Sequence, residues 1–203
     1  MAAIETFLFD MDGVLCAYDF DRRLRLLEER LGVPASEIEA KIFTSGFEEA
    51  ADFGEFGTAA YLEGVSERLG LAVDAATWLA ARRDAMTPDA AMLDLARDLA
   101  ERHPTALLTN NGWFLCEAID EVFPALRGIF AERMFFSAEI GGGKEQTATF
   151  RPFLDRLGWR PETTLFIDDS ATYIGCAREA GLETHLFAGL DGLMADLRAR
   201  SIL

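Results

Sequence analysis

Asp10 and Asp12 stand two residues apart at the end of an apolar run, Thr6-Phe7-Leu8-Phe9, and Gly13 follows them. Continued as a strand, the chain would point both carboxylates to the same side. Gly13 lets it turn at once. Carboxylates this close need a cation, or one of them keeps its proton. Such a pair at a strand end lies where ligands bind in open α/β sheets; a plain turn is the alternative. Asp-x-Asp-Gly also opens calcium loops, but the third oxygen ligand would fall on Val14. A second pair, Asp168-Asp169, closes the run Thr164-Leu165-Phe166-Ile167. By itself it also reads as a helix N-cap. Together the pairs bring four carboxylates to strand ends, where a divalent cation with oxygen ligands is the natural compensation.

Two more loops belong with these. Thr109-Asn110-Asn111-Gly112 follows Thr105-Ala106-Leu107-Leu108. It offers a hydroxyl, amides and backbone N–H groups near a helix start, which is either a phosphate cradle or an Asn-Gly turn. Lys144 follows Gly141-Gly142-Gly143, and Lys41 is the only other lysine. Lys144 is the fixed cation a carboxylate and phosphate site needs, or a solvated loop residue.

The elements that position these loops are legible. Residues 6–9, 105–109, 164–167 and 183–187 are apolar runs of the kind buried on both faces of a parallel sheet. Residues 134–137 are a weaker fifth. Helical patterns over 88–101, 113–123, 146–157, 171–180 and 190–199 alternate with them. Pro88 suits the first helical position, and Pro152 is awkward inside its helix. The alternation predicts an α/β fold with a Rossmann-like parallel sheet, in which ligands bind beyond the carboxyl ends of the strands. Residues 16–87 break the pattern. They read as helices over 21–31, 58–69 and 74–86, with another opened by a capping box from Ser36 to Glu39, and with no convincing strand. The expected division is a core of 1–15 and 88–203 around an inserted helical cap domain of 16–87.

Composition narrows the function. The chain has 203 residues, half of them hydrophobic, and 35 Asp+Glu against 19 Lys+Arg give a net charge of −16. Nucleic acid and anionic membranes are poor partners for that charge, and any anion site must be a local exception. Cys16, Cys116 and Cys176 form no disulfide pattern and read as reduced thiols. No stretch is apolar enough for a membrane span, and no basic and apolar leader opens the chain. A cytoplasmic protein is expected, as a monomer or homodimer.

The four loops, in this order and spacing, resemble the haloacid dehalogenase superfamily of hydrolases. Phe7 to Leu15 is similar to its first motif, Leu107 to Asn110 to its second, Lys144 to its third, and Leu165 to Ser170 to its fourth. Ala177 to Gly181 resembles the Ala-x-x-Ala-Gly stretch that follows. Asp10 to Leu31 and the Thr109 loop look most like bacterial sugar-phosphate phosphatases that include α-glucose-1-phosphate phosphatase. The resemblance implies a Mg²⁺-dependent phosphomonoesterase acting on a small phosphorylated metabolite through an aspartyl-phosphate. Asp10 would be the nucleophile and Asp12 the acid and base. Thr109 and the Asn110 amide would bind phosphoryl oxygens, and Lys144 would neutralise charge on Asp10 and the phosphate. Mg²⁺ would sit between Asp10, the Asp12 carbonyl and Asp168 or Asp169. True dehalogenases resemble the pattern with Tyr in place of Asp12, so Asp there favours phosphate esters. A phosphomutase, or a weakly catalytic binding protein, is the alternative. Two positions depart from the family: Glu145 stands where Pro usually follows the lysine, and Tyr173 where Asn is common.

The helical insert should set specificity. Tyr18, Phe20, Phe43, Phe47, Phe53, Phe56 and Trp78 either line a pocket or pack a bundle. Arg22, Arg23 and Lys41 either reach a second anionic group or are solvated. Asp19, Asp21 and Glu55 either bind hydroxyls or lie on the surface. Trp113 is placed to wall the site. His103 and His185 fall outside the motifs.

Overall fold

The computed structural model describes residues 3–203. Five parallel strands, β1 (Thr6–Phe9), β4 (Thr105–Thr109), β5 (Met134–Phe136), β6 (Thr164–Asp168) and β7 (Glu183–Leu186), form a sheet in the order β5-β4-β1-β6-β7. Of the four apolar runs expected to be buried on both faces, residues 6–9, 105–109 and 164–167 are the central strands, whereas 183–187 forms the edge strand β7, which is only partly buried. β1 is buried at every residue because both its faces are covered. Phe7 and Phe9 pack on one side with helices α6 (Ala90–Ala100), α7 (Trp113–Val122), α8 (Arg127–Phe130) and α12 (Leu190–Ala199). Leu8 packs on the other with α10 (Thr147–Leu157) and α11 (Ala171–Glu179). Pro152 is accommodated inside α10, which ends on Gly158 in the left-handed conformation.

Residues 20–84 form a third packed cluster of helices, α1 (Phe20–Leu31), α2 (Ala35–Ile38), α3 (Phe47–Asp52), α4 (Thr58–Leu69) and α5 (Ala75–Asp84), with a π-helical turn at Glu39–Phe43. Leu27, Ile38, Ile42, Val65 and Trp78 are its interior. Phe114, at the start of α7, packs against this cluster and against the sheet cluster.

Three local expectations are corrected. The stretch 16–87 is not free of strands: β2 (Cys16–Tyr18) pairs antiparallel with β3 (Met86–Pro88) where the chain leaves and re-enters the sheet domain. These strands are three residues each and owe their form to pairing with one another, which a local pattern does not carry. Ser36 opens no capping box, because α2 begins at Ala35 after Pro34 and has no side-chain cap. Pro88 lies in β3 rather than at a first helical position; the cap of α6 is Asp89, whose carboxylate accepts from Ala91 N–H and Met92 N–H. Asp74 does cap α5, accepting from Thr77 N–H.

Two close approaches seat the helical layer on the core. Gly54, at φ +82°, lies so near the Ala138 carbonyl that a Cβ would collide with it, and Ser137 Oγ donates to the Asp52 carbonyl at 2.6 Å. Among the described residues, no helix is long and apolar enough to cross a membrane.

Candidate active site

β1, β4 and β6 deliver Asp10, Thr109 and Asp168 to the same carboxyl edge of the sheet. Beyond Asp10 the chain winds tightly. Gly13, at φ +83°, donates its N–H to the Cys16 carbonyl at 2.8 Å, and Leu15 N–H reaches the Met11 carbonyl at 2.8 Å. A Cβ at Gly13 would strike the Asp169 carboxylate, so only glycine lets the two acidic loops meet.

Lys144 is not a solvated loop residue. It is 1% exposed, and its Nζ lies 2.6 Å from Asp10 Oδ1 and 2.8 Å from Asp168 Oδ2. Burial alone would lower its ammonium; the two carboxylates outweigh that and hold it above its ordinary value. Asp10 is pushed the other way: burial raises it to about 8 against the pull of Lys144, and Asp168 adds to the rise. A carboxylate so placed lacks sufficient positive charge. Asp10, Asp168 and Asp169 offer oxygens within 4.8 Å of one another. This set of hard oxygen donors around an under-compensated charge fits Mg²⁺. The Asp12 side chain is not in the set.

The two residues of the second acidic pair differ in their surroundings. Asp168 is fully buried and committed, accepting from Lys144 and from Ser170 N–H at 2.8 Å. Asp169 is exposed and lines the cavity with Asp10 and Asp12. Neither is the cap of α11; that is Ser170.

The second-motif loop is equally specific. Thr109 Oγ1 accepts from Asn111 Nδ2 at 2.7 Å, which leaves its own hydrogen to donate. Both ends of the Asn110 side chain are used: Oδ1 accepts from Lys144 N–H at 3.0 Å, and Nδ2 donates to Glu145 Oε2 at 2.9 Å. Glu145, which departs from the family pattern, thus ties the lysine loop to the Thr109 loop. Tyr173, the other departure, places its ring 4.9 Å from Lys144 Nζ, within cation–π range.

Asp12 faces the helical layer. Its Oδ2 pairs at 2.5 Å with Nη2 of Arg82 from α5, and that guanidinium stacks 3.8 Å above the Tyr18 ring. Sequence reasoning missed Arg82. Its signal was present: it falls one helical turn after the buried Trp78, on the face that should have been apolar. Glu48 and Asp52 were also missed.

A cavity of about 330 Å³ opens between the layers, bordered by Asp10, Asp12, Thr109, Asn110, Lys144 and Asp169, with Tyr18 and Tyr173 at its sides. Of the aromatic candidates, Phe20 and Phe43 border an adjoining chamber, and Phe53 and Phe56 line neighbouring recesses. Phe47 and Trp78 are packing residues, at 5% and 0% exposure. Trp113 reaches a small recess beside Asp52. Arg23 is buried and points inward, whereas Arg22 is exposed and Lys41 pairs with Glu37 at the surface. Asp19 is the cap of α1; Asp21 and Glu55 are exposed. His103 packs on Phe7, and His185 pairs with Asp196.

Asp52 beside this cavity is raised to about 8 by burial, with Glu48 adding to the rise. Asp10 and Asp52 both bind a proton more tightly folded than unfolded, where a carboxyl titrates near about 4. The metal-free fold therefore loses stability as pH climbs through that interval, on the order of 1 kcal/mol per pH unit for each group. The melting temperature without metal falls between pH 6 and pH 8.5, and Asp52→Asn removes part of that slope. A melting temperature flat with pH would refute these shifts.

Residues 4–181 match the family described as haloacid dehalogenase-like hydrolase, and the chain belongs to it. A curated relative, Phosphatase MT3486 of Mycobacterium tuberculosis, is 27% identical over 211 residues, spanning 96% of this chain and 94% of that protein. The HAD family enzyme bt-2542 of Bacteroides thetaiotaomicron, solved in complex with magnesium and inorganic phosphate, superposes with a TM-score of 0.80 at 26% identity over 93% of this chain and 97% of that one. A structure described as a predicted HAD-like family hydrolase from Porphyromonas gingivalis shares the fold, with a TM-score of 0.83 at 21% identity over 98% of both chains.

Proposed function

We propose that this hydrolase is a Mg²⁺-dependent phosphomonoesterase acting on a small phosphorylated metabolite, with a sugar phosphate as the leading class. One observation carries the reading: a buried carboxylate, Asp10, lies 2.6 Å from a buried lysine at the edge of a cavity that also exposes a second acid, Asp12. The phosphatase and magnesium–phosphate relatives support it.

Lys144 and Met11 N–H, at 2.6 and 2.7 Å, hold Asp10 Oδ1. Oδ2 makes no hydrogen bond among the described residues and is the oxygen that attacks phosphorus. The ester oxygen leaves with a proton from Asp12, which then takes one from the water that opens the acyl-phosphate. The Thr109 hydroxyl and the Asn110 backbone amide hold phosphoryl oxygens, and Lys144 offsets the charge gathered on Asp10 and the phosphate. Asp10 and Asp169, backed by Asp168 and the Asp12 carbonyl, would hold Mg²⁺, which supplies charge neutralisation at the phosphoryl group. Residues 16–87 act as a cap over the core of 1–15 and 88–203, closing on the substrate and excluding water. The carboxylates, amides and aromatic faces above the cavity suit a hydroxylated leaving group.

Phosphate release from a panel of sugar, nucleotide and amino-acid phosphates, with Mg²⁺ and with EDTA, tests the reading. Turnover of one group, abolished by EDTA, is expected; no release from any ester by folded, Mg²⁺-loaded protein would end it. Asp12→Asn gives a sharper signature. In kcat/KM, which reports formation of the acyl-phosphate, it slows alkyl phosphates by about 10²–10⁴-fold, but p-nitrophenyl phosphate far less, because nitrophenolate leaves without a proton; breakdown of the shared acyl-phosphate is slowed for both. Equal losses on both would remove Asp12 as the acid.

A further inference from the structure

The phosphate cavity continues into a chamber of about 190 Å³ that shares Asp12, Tyr18 and Asn110 with it and is roofed by Arg23, Phe43 and Arg82. The shared residues put this chamber on the side of Asp12, where the leaving group must extend. Arg23 and Arg82 are 7% and 4% exposed. Each keeps one buried nitrogen, Nε of Arg23 and Nη1 of Arg82, without a hydrogen-bond partner among the described residues. Unpaired guanidinium N–H groups in a protein interior are costly, and both belong to guanidiniums whose residues line this one chamber.

We propose that this chamber takes a second anionic group carried by the leaving part of the substrate, a carboxylate or a second phosphate, between the guanidiniums of Arg23 and Arg82. The proposal rests on the phosphomonoesterase reading and narrows it to phosphorylated acids or bisphosphates. Planar guanidinium forks match oxyanions better than they match single hydroxyls. Two carboxylates share the chamber, and neither occupies these N–H groups. Glu48 accepts from the Tyr61 hydroxyl at 2.6 Å and stands 3.9 Å from Nη1 of Arg23. Asp52 is pushed up to about 8 by burial and by Glu48. The present partner of Arg82 is Asp12, through Nη2. A substrate anion competes for that guanidinium and frees the Asp12 oxygen to face the ester.

Matched esters differing only in the second anion test this: phosphoglycerate against glycerol phosphate, phosphogluconate against glucitol phosphate, and fructose bisphosphate against fructose monophosphate. In the wild-type enzyme, kcat/KM favours the charged member of the carboxylate arms or of the bisphosphate arm by about tenfold or more. The arm that responds identifies the anion. Arg23→Gln and Arg82→Gln each bring that ratio close to one, mainly through KM of the charged member. Arg23→Lys, which keeps charge and stem but not the fork, restores part of it. The wild-type comparison needs no variant to fold. If p-nitrophenyl phosphate and the neutral esters turn over but no charged member is preferred, this proposal is wrong while the phosphatase reading stands. A preference that survives both glutamine variants also overturns it. No phosphate release from any compound, p-nitrophenyl phosphate included, would remove both.

Discussion

Asp10→Asn stops phosphate release, by a factor on the order of 10⁴ or more, in a protein that still folds. The amide is no nucleophile, so the acyl-phosphate cannot form. The local contacts survive the change. An amide oxygen at the Oδ1 position still accepts from Met11 N–H, and Lys144 keeps Asp168 as its partner at 2.8 Å. Burial already holds Asp10 near 8, so the substitution removes from the interior a carboxyl that becomes charged only as the pH rises through that value. The metal-free variant therefore melts no lower than the parent, and the pH slope of its melting temperature is shallower. Phosphate release and a melting curve on one preparation separate this outcome from misfolding. Residual activity above about one part in a hundred would remove Asp10 as nucleophile.

Lys144→Ala has the largest structural effect. Nζ is the shared cation of Asp10 and Asp168, and all three side chains are at least nine-tenths buried. Deleting it leaves the buried Asp168 carboxylate without its ammonium, beside Asp10, which burial already holds near 8. Breaking a buried pair in this way costs about 3–5 kcal/mol, and a chain of this length loses about 2–4 °C of melting temperature for each kcal/mol. Activity is lost as well, because no other cation among the described residues lines the cavity beside Asp10. Added Mg²⁺ raises the melting temperature of the variant more than that of the parent, since the ion meets a less compensated cluster. A variant that melts like the parent would show that the ammonium does not hold this site together.

The parts legible in the sequence were those with a local signature. Strands covered on both faces give unbroken apolar runs such as Phe7-Leu8-Phe9, and their acidic, hydroxyl or amide residues lie just beyond. Lys144 was legible from the scarcity of lysine and its glycine-rich approach, although its burial was not. The illegible parts depend on packing between distant segments. β2 and β3 are separated by nearly the whole insert and define each other. Arg22 and Arg23 are neighbours of the same type, yet only Arg23 faces inward, because it lies beside the buried Leu24 and Leu27 on α1. Glu145 and Tyr173 read as departures from a pattern; only Asn110 and Lys144, brought alongside them, show what they do.

The short ribbon has a mechanical consequence. Cys16 pairs with Pro88, Ala17 with Thr87 and Tyr18 with Met86, so the insert hangs from a two-legged stalk rather than from two independent tethers. Because the two legs are hydrogen-bonded to each other, any rocking of the helices moves both together. The Asp12 loop runs directly into one leg, and the helix carrying Arg82 ends beside the start of the other. Motion of the helical layer is thereby geared to the distance between that acid and that guanidinium. On the proposed reading, the acid that meets the ester and the entrance above it need no separate messenger to stay in step.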